Sequence, residues 1–239
     1  MKRWWSFLFP GSGQCWFCSS FVSRRPLQSI WQEICSECKS ELHRIQAQNC
    51  FYCGRQRSMD RQSEICLDCE QASHRLINRS VVEYSAFAKQ LIWLYKFRGD
   101  QSLAEPIGRM MAENVQINWQ KKSFIITYVP LTSERLLERG FNQAQLLAEV
   151  IGSQLRMPVI PLLKREHFIG AQSQKGRVER IQSLTNAFSV LEEVSLMLWV
   201  DRPVLIVDDI YTTGTTLREC AKPLQIAGVE EICTTTFAR

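Results

Sequence analysis

The strongest indication of the fold is the stretch VLIVDDIYTTGTTL at residues 204–217. Four aliphatic residues run directly into Asp208 and Asp209, a pattern that predicts a buried strand of a parallel sheet. Such a strand delivers both carboxylates to its carboxyl end, which is the edge where open α/β sheets bind their ligands. We therefore expect Asp208 and Asp209 to face a ligand.

The loop after the two aspartates consists almost entirely of threonine and glycine. Gly214 permits a tight turn, and Thr215 or Thr216 is placed to cap the helix that follows. The backbone N–H groups of such a turn and of a helix start form a cradle for phosphate, although an ordinary capped turn would have the same letters. The predicted phosphate-binding residues are Thr212, Thr213, Gly214, Thr215 and Thr216.

The aspartates and the threonine loop together define the predicted ligand. Two carboxylates would repel a neighbouring phosphate unless they face something else, and vicinal sugar hydroxyls or a magnesium ion are suitable partners. A ribose 5-phosphate unit satisfies both requirements, with its phosphate in the loop and its hydroxyls on the aspartates.

From about residue 80 the chain alternates between strand and helix patterns. We predict strands at residues 81–87, 123–130, 204–207 and 231–237, and helices at residues 88–100, 102–115 and 142–155. Asn142 is placed to cap the last of these helices. Pro223 lies inside the helix predicted after the threonine loop, where it favours a kink or an early end. This alternation predicts a mostly parallel sheet that is covered on both faces.

The cysteines divide the chain. Eight of the ten lie in four CxxC pairs: Cys15/Cys18, Cys35/Cys38, Cys50/Cys53 and Cys66/Cys69. Two such pairs supply four thiolates, the tetrahedral ligand set of a structural zinc site. The simplest arrangement is two zinc ribbons in series, although crossed pairing fits the same spacing. A thioredoxin-like motif or a disulfide framework fits less well, and we interpret Cys220 and Cys233 as ordinary buried cysteines.

Length and composition predict a folded protein, since 239 residues with 45% hydrophobic content suffice for a core. The opening MKRWWSFLFP has too short an apolar run for a signal peptide, and no later run is long enough for a membrane span. We therefore expect a cytoplasmic location. The formal net charge is +5, but thiolates bound to zinc would offset most of it. The basic balance is therefore poor evidence for nucleic-acid binding.

The segment VLIVDDIYTTGTT resembles the signature of type I phosphoribosyltransferases, which use phosphoribosyl pyrophosphate (PRPP). Four CxxC pairs, then KFRGD, then VPLTSERLLERGFNQAQLLA closely resemble the competence protein F (ComF/GntX-like) family over essentially the whole chain. The resemblance implies a type I phosphoribosyltransferase-like sheet at residues 80–239, preceded by a double zinc ribbon at residues 1–75. It also implies a role in natural transformation, on the cytoplasmic side.

The resemblance further implies individual roles around PRPP. The backbone amides of Leu131, Thr132 and Ser133 are candidates to hold pyrophosphate, with Arg135 and Arg139 to neutralise its charge, although a solvated helix face fits both arginines as well. Lys96 in YKFRGD is a further candidate for PRPP binding. Asp208 and Asp209 take the catalytic position, with Mg²⁺ accompanying PRPP. The polar stretch at residues 164–188 corresponds to a loop that closes over PRPP, with Gln172, Gln174, Arg177 and Arg180 as candidate contacts, although a polar excursion without a ligand role fits the same residues. Ala171-Gln172-Ser173 stands where related chains usually carry a threonine.

Three functions fit the sequence. One is a pentosyl transferase whose acceptor the sequence does not identify, with the zinc module as its hood. Another is a PRPP-responsive binding protein without turnover. The third is an accessory of DNA uptake that holds single-stranded DNA and works with a competence DNA helicase.

Overall fold

The computed structural model describes residues 13–22, 29–45, 50–55, 63–72, 75–165, 187–191 and 201–239. The strands are β1 Ile77–Val82, β2 Ile125–Tyr128, β3 Leu163–Arg165, β4 Phe188–Val190, β5 Val204–Ile210 and β6 Ile232–Ala238. The helices are α1 Ser36–Glu41, α2 Leu67–Glu70, α3 Ala86–Phe97, α4 Ala104–Asn118, α5 Ser133–Arg139, α6 Gln143–Leu155 and α7 Thr215–Ile226. Short 3₁₀ turns lie at Ile30–Glu33 and Gln101–Leu103. The contacts predicted at Gln172, Gln174, Arg177 and Arg180 lie outside the described residues.

Four strands form a parallel sheet in the order β1-β6-β5-β2. Strands β3 and β4 form a separate antiparallel pair. The central strands β5 and β6 are apolar or threonine-rich, as expected where both faces of a sheet are buried. The predicted mostly parallel α/β architecture is confirmed.

Side chains alternate across β5 and fill two cores, one on each face of the sheet. Leu205 and Val207 lie in a cluster with residues of α3, α4 and α6. Val204 and Ile206 lie in a second cluster, mainly with residues of α7 and of the β3–β4 pair. The sheet is therefore covered on both faces, as the strand–helix alternation predicts.

The helix starts show where local signals suffice. The Asn142 side chain accepts hydrogen bonds from the amides of Ala144 and Gln145, so its predicted capping role is confirmed. The predicted strand at residues 81–87 is misplaced, because the Ser85 hydroxyl accepts from the Ala88 amide and starts α3 there. Helix α7 also continues past Pro223 to Ile226, so it does not end early.

The cysteine-rich segments pack against the sheet and its helices. Arg109 on α4 forms an ion pair with Glu33, and its two guanidinium nitrogens lie 2.7 and 3.2 Å from the carboxylate oxygens. At the second pair of CxxC motifs, the backbone amide of Asn78 in β1 donates to the Tyr52 carbonyl at 2.6 Å. Among the described residues, no helix is long and apolar enough to cross a membrane.

Candidate functional site

The two aspartates lie at the carboxyl end of β5, inside the strand itself. Asp208 is partly exposed, whereas Asp209 is only 5% exposed. The Asp208 Oδ1 atom accepts a hydrogen bond from the Asp209 backbone amide at 2.9 Å, which fixes its orientation. The structure therefore places these predicted site residues at the sheet edge where the sequence predicts them.

The two carboxylates influence each other and a nearby cation. Although part of Asp208 remains accessible, desolvation of its carboxyl group by the surrounding protein raises its pKa well above the usual value. The negative charge of Asp209 raises this pKa further, while Lys96 opposes both effects. The Lys96 Nζ atom lies 2.5 Å from Asp209 Oδ2, and both side chains are largely buried. This contact joins the predicted Lys96 and Asp209 positions, which come from motifs far apart in the chain.

The threonine loop turns sharply at Gly214, whose φ is +73°. Helix α7 begins immediately afterwards, with Gly214 itself as the N-cap residue and no side-chain cap. The prediction that Thr215 or Thr216 caps this helix is wrong, because the turn places both residues inside the first turn. Instead, the Thr213 hydroxyl lies 2.9 Å from the Thr215 hydroxyl. First-turn amides of a helix have no carbonyl partner within it, so this end offers donors to an anion.

The Tyr211 ring packs against the threonine loop at Gly214. A Cβ atom on Gly214 would lie 2.2 Å from the Tyr211 Oη atom, so the ring leaves room only for glycine. The Arg239 guanidinium lies over the Tyr211 ring, 4.6 Å from its centre, and donates to the Cys53 carbonyl at 2.6 Å. This continuous set of contacts links the second CxxC region to the loop, and the sequence analysis missed both Tyr211 and Arg239.

The loop after β2 meets the same edge. Strand β2 pairs with β5, and the Val129 amide donates to the Val207 carbonyl, so Leu131, Thr132 and Ser133 follow the strand next to the aspartates. The Thr132 hydroxyl caps α5 by accepting from the Arg135 amide.

The two arginines of α5 differ in their surroundings. Arg135 is exposed, whereas Arg139 lies over the Phe97 ring at 5.3 Å and donates to Gln143 Oε1 at 2.9 Å. Burial and the neighbouring charge of Arg135 lower the pKa of Arg139, while Asp209 acts in the opposite direction. Arg139 therefore belongs to the electrostatic neighbourhood of Asp209.

The eight predicted metal ligands form two groups. The ligand atoms of each group lie within 4.8 Å of one another: Cys15, Cys18, Cys35 and Cys38 in the first, and Cys50, Cys53, Cys66 and Cys69 in the second. Sequential pairing is therefore observed, and the crossed arrangement is not. Four cysteine thiolates at this spacing suit one tetrahedral metal ion in each group. Cys18 is exposed, whereas the whole second group is buried.

A cavity of about 420 Å³ lies at the carboxyl ends of β1, β5 and β6. It is lined by Ile45, Arg55, Glu83, Tyr84, Ile210, Tyr211, Thr212 and Arg239. Because Thr212 also belongs to the threonine loop, the cavity opens directly beside the predicted phosphate position.

No protein-family model matches the chain. Among solved structures, a glutamine PRPP amidotransferase from B. subtilis complexed with ADP and GMP is 20% identical, with a TM-score of 0.38 over 56% of this chain and 26% of that chain. A hypoxanthine phosphoribosyltransferase from Staphylococcus aureus is 18% identical, with a TM-score of 0.34 over 57% of this chain and 63% of that chain. Similarity this low supports no conclusion about this chain.

Curated relatives are similar over most of the chain. Competence protein ComFC of Bacillus subtilis is 31% identical over 200 residues, which are 81% of this chain and 78% of that protein. Competence protein ComFC of Streptococcus pneumoniae is 30% identical over 86% of this chain and 87% of its own length. Competence protein F of Haemophilus influenzae is 31% identical over 86% and 84%, respectively. This identity over such coverage shows that the chain belongs to the competence protein F family.

Proposed function

We propose that the carboxyl edge of β5 binds the ribose 5-phosphate unit of PRPP. One observation carries the proposal. Two carboxylates at the end of β5 are followed, within a few residues, by a turn at Gly214 with left-handed backbone and by the start of α7. The phosphate would lie against Thr212, Thr213, Gly214, Thr215 and Thr216, and the sugar hydroxyls would lie on Asp208 and Asp209.

The pyrophosphate group would occupy the positive side of this site. Lys96 and Arg139 supply charge beside Asp209, and the amides of Leu131, Thr132 and Ser133 and the exposed Arg135 lie at the adjacent strand end. Guanidinium groups bind phosphate oxygens through paired donors. Mg²⁺ held at the two carboxylates would neutralise charge on the pyrophosphate oxygens.

If the site turns PRPP over, its chemistry is displacement of pyrophosphate at the anomeric carbon of the ribose. The residues described above would bind and orient the sugar phosphate and supply positive charge for the leaving group. The cavity beside Thr212 gives an acceptor a place next to the sugar. Its wall includes Arg55 of the cysteine-rich region, in keeping with that region as a hood over the site.

The chain's relatives are named competence proteins, and we propose the same cellular role here, in the handling of DNA during uptake. Single-stranded DNA and a competence DNA helicase are the proposed partners, and the cytoplasm is the proposed location. Direct DNA handling is a second candidate function, which the aromatic face of Tyr84 and the charge of Arg239 at the cavity favour. Glu83 lines the same cavity and Arg55 forms an ion pair with Asp68, so part of the positive charge is offset.

Both cysteine groups are proposed to hold Zn²⁺ in a structural role. Four thiolates leave no open coordination position for a substrate. The proposed division is a double zinc ribbon at residues 1–75 and a phosphoribosyltransferase-like domain at residues 80–239.

Isothermal titration with PRPP, with and without Mg²⁺, tests the proposed ligand. Wild type is expected to bind PRPP, and the double variant Asp208→Asn/Asp209→Asn is expected to lose binding while remaining folded. Asp201→Asn, an exposed aspartate just before β5, is the control for removal of negative charge. Equal affinity in wild type and the double variant would refute the assignment. A turnover assay across candidate acceptors then separates an enzyme from a binding protein.

A further inference from the structure

Two buried side-chain atoms among the described residues lack a hydrogen-bond partner: Gln143 Nε2 and Asp209 Oδ2. The Asp209 atom is compensated by its ion pair with Lys96. The Gln143 amide nitrogen has no such compensation, although the residue is only 3% exposed. Native proteins contain few buried donors without an acceptor, and each one calls for an explanation.

The orientation of the Gln143 amide is determined by its surroundings. Its Oε1 atom accepts from Arg139 Nη1 at 2.9 Å, and guanidinium nitrogens can only donate. A flipped amide would place two donors against each other, so Nε2 is the atom left free. The backbone is held as well, because the Gln143 carbonyl accepts from the Tyr95 hydroxyl at 2.9 Å.

Three consecutive residues at the end of α3 link Gln143 to Asp209. Tyr95 binds the Gln143 carbonyl, Lys96 pairs with Asp209, and Phe97 lies under Arg139. One helical turn therefore contacts the glutamine, the aspartate and the arginine. Burial raises the pKa of Tyr95, and the negative charge of Asp209 raises it further. This effect agrees with the nearness of Tyr95 to Asp209.

We propose that Gln143 is a sugar-binding residue, whose Nε2 donates a hydrogen bond to a ribose hydroxyl that in turn donates to Asp209. The inference rests on the proposed function and adds to it a residue with no assigned role. A hydroxyl group can accept one hydrogen bond and donate another, so it matches a free donor and a carboxylate that the same helical turn contacts. A phosphate oxygen fits this position less well, because the carboxylate of Asp209 repels it.

Two substitutions separate this role from a purely structural one. Gln143→Met removes both amide atoms, whereas Gln143→Glu removes the donor and keeps an acceptor for Arg139. Gln145→Met is the matched control, because Gln145 lies two residues further along α6 and binds Glu149 on the exposed surface. Isothermal titration with ribose 5-phosphate and with inorganic phosphate provides the measurement. It is made on variants whose melting temperatures match that of wild type.

Both Gln143 variants are expected to bind ribose 5-phosphate about tenfold more weakly, the equivalent of one hydrogen bond. Their affinity for inorganic phosphate, which needs only the threonine loop, should stay that of wild type, and Gln145→Met should change neither affinity. A loss in Gln143→Met alone would overturn the proposal, because Gln143 would then act through Arg139. Unchanged sugar binding in both variants, or an equal loss of both ligands, would overturn it as well. If wild type does not bind ribose 5-phosphate at all, the proposed function itself fails.

Discussion

Replacing Gly214 with alanine tests whether the close packing of Tyr211 shapes the threonine loop. The left-handed backbone, at φ +73°, costs an L-residue about 1 to 2 kcal/mol. The new Cβ atom would also lie 2.2 Å from Tyr211 Oη and 2.4 Å from Cζ, so the ring must move. Overpacking of this kind costs roughly 1 to 3 kcal/mol. The two effects together are expected to destabilise the protein by about 2 to 5 kcal/mol.

Gly140 provides the matched control for this substitution. Its φ is +76°, but an added Cβ would meet nothing within 4 Å. Gly140→Ala therefore carries the backbone strain without the steric overlap and should cost about 1 kcal/mol, since alanine also restricts the unfolded chain. The difference between the two variants isolates the contribution of Tyr211.

Urea unfolding of both variants provides the measurement. Adding Tyr211→Ala to Gly214→Ala should remove the steric cost of Gly214→Ala, and the double-mutant cycle quantifies the coupling. Equal destabilisation by Gly214→Ala and Gly140→Ala would show that the ring does not restrict the loop. The reasoning about the Tyr211–Gly214 contact would then be refuted.

Three further predictions concern charge, metal and cellular function. Since the folded-state pKa of Asp208 is raised, the folded protein holds this proton more tightly than the unfolded chain, and stability should fall as pH rises above about 4. In urea unfolding, Asp208→Asn should reduce this dependence of stability on pH. An unchanged pH dependence would contradict the raised pKa of Asp208. Metal analysis should find about two zinc ions per chain, and chelation should increase hydrogen exchange in residues 15–70 while the sheet stays protected; a single ion would leave four cysteines without a metal. In a transformable host, Asp208→Asn/Asp209→Asn should abolish transformation at normal protein levels, whereas simple DNA binding would survive the loss of two negative charges.

The sequence predicts those parts of the fold that local patterns determine. The apolar run of β5 and the Asn142 cap both follow from neighbouring residues, and the structure has them where they are predicted. The prediction misplaces β1 because this strand contains buried polar residues, and polar residues do not indicate a buried strand. Asn78 and Ser80 are buried because Thr234 and Thr236 on β6 bind them. Those partners lie 156 residues away, so no local pattern could reveal them.

The same reasoning applies to the candidate site. Asp208 and Asp209 follow from the end of a strand, but the Lys96–Asp209 contact depends on how α3 packs against the sheet. Gln143 lies in the RGFNQA segment, yet its free amide nitrogen becomes apparent only once Arg139 is seen to occupy the oxygen. The chemical type of a site residue can therefore be predicted from the neighbouring sequence, whereas its contact partners depend on tertiary packing.

The two cysteine groups differ in how directly they reach the proposed ligand site. The first is anchored to α4 through Glu33 and Arg109, on the face of the sheet that α4 covers. The second is tied to the sheet edge, because the Cys53 carbonyl binds Arg239, whose guanidinium lies on Tyr211 behind the threonine loop. Movement of Cys53 would therefore remove a support of Tyr211, and the shape of the loop depends on that ring. For this physical reason we expect disruption of the second cysteine group to weaken ligand binding, and disruption of the first mainly to destabilise the fold.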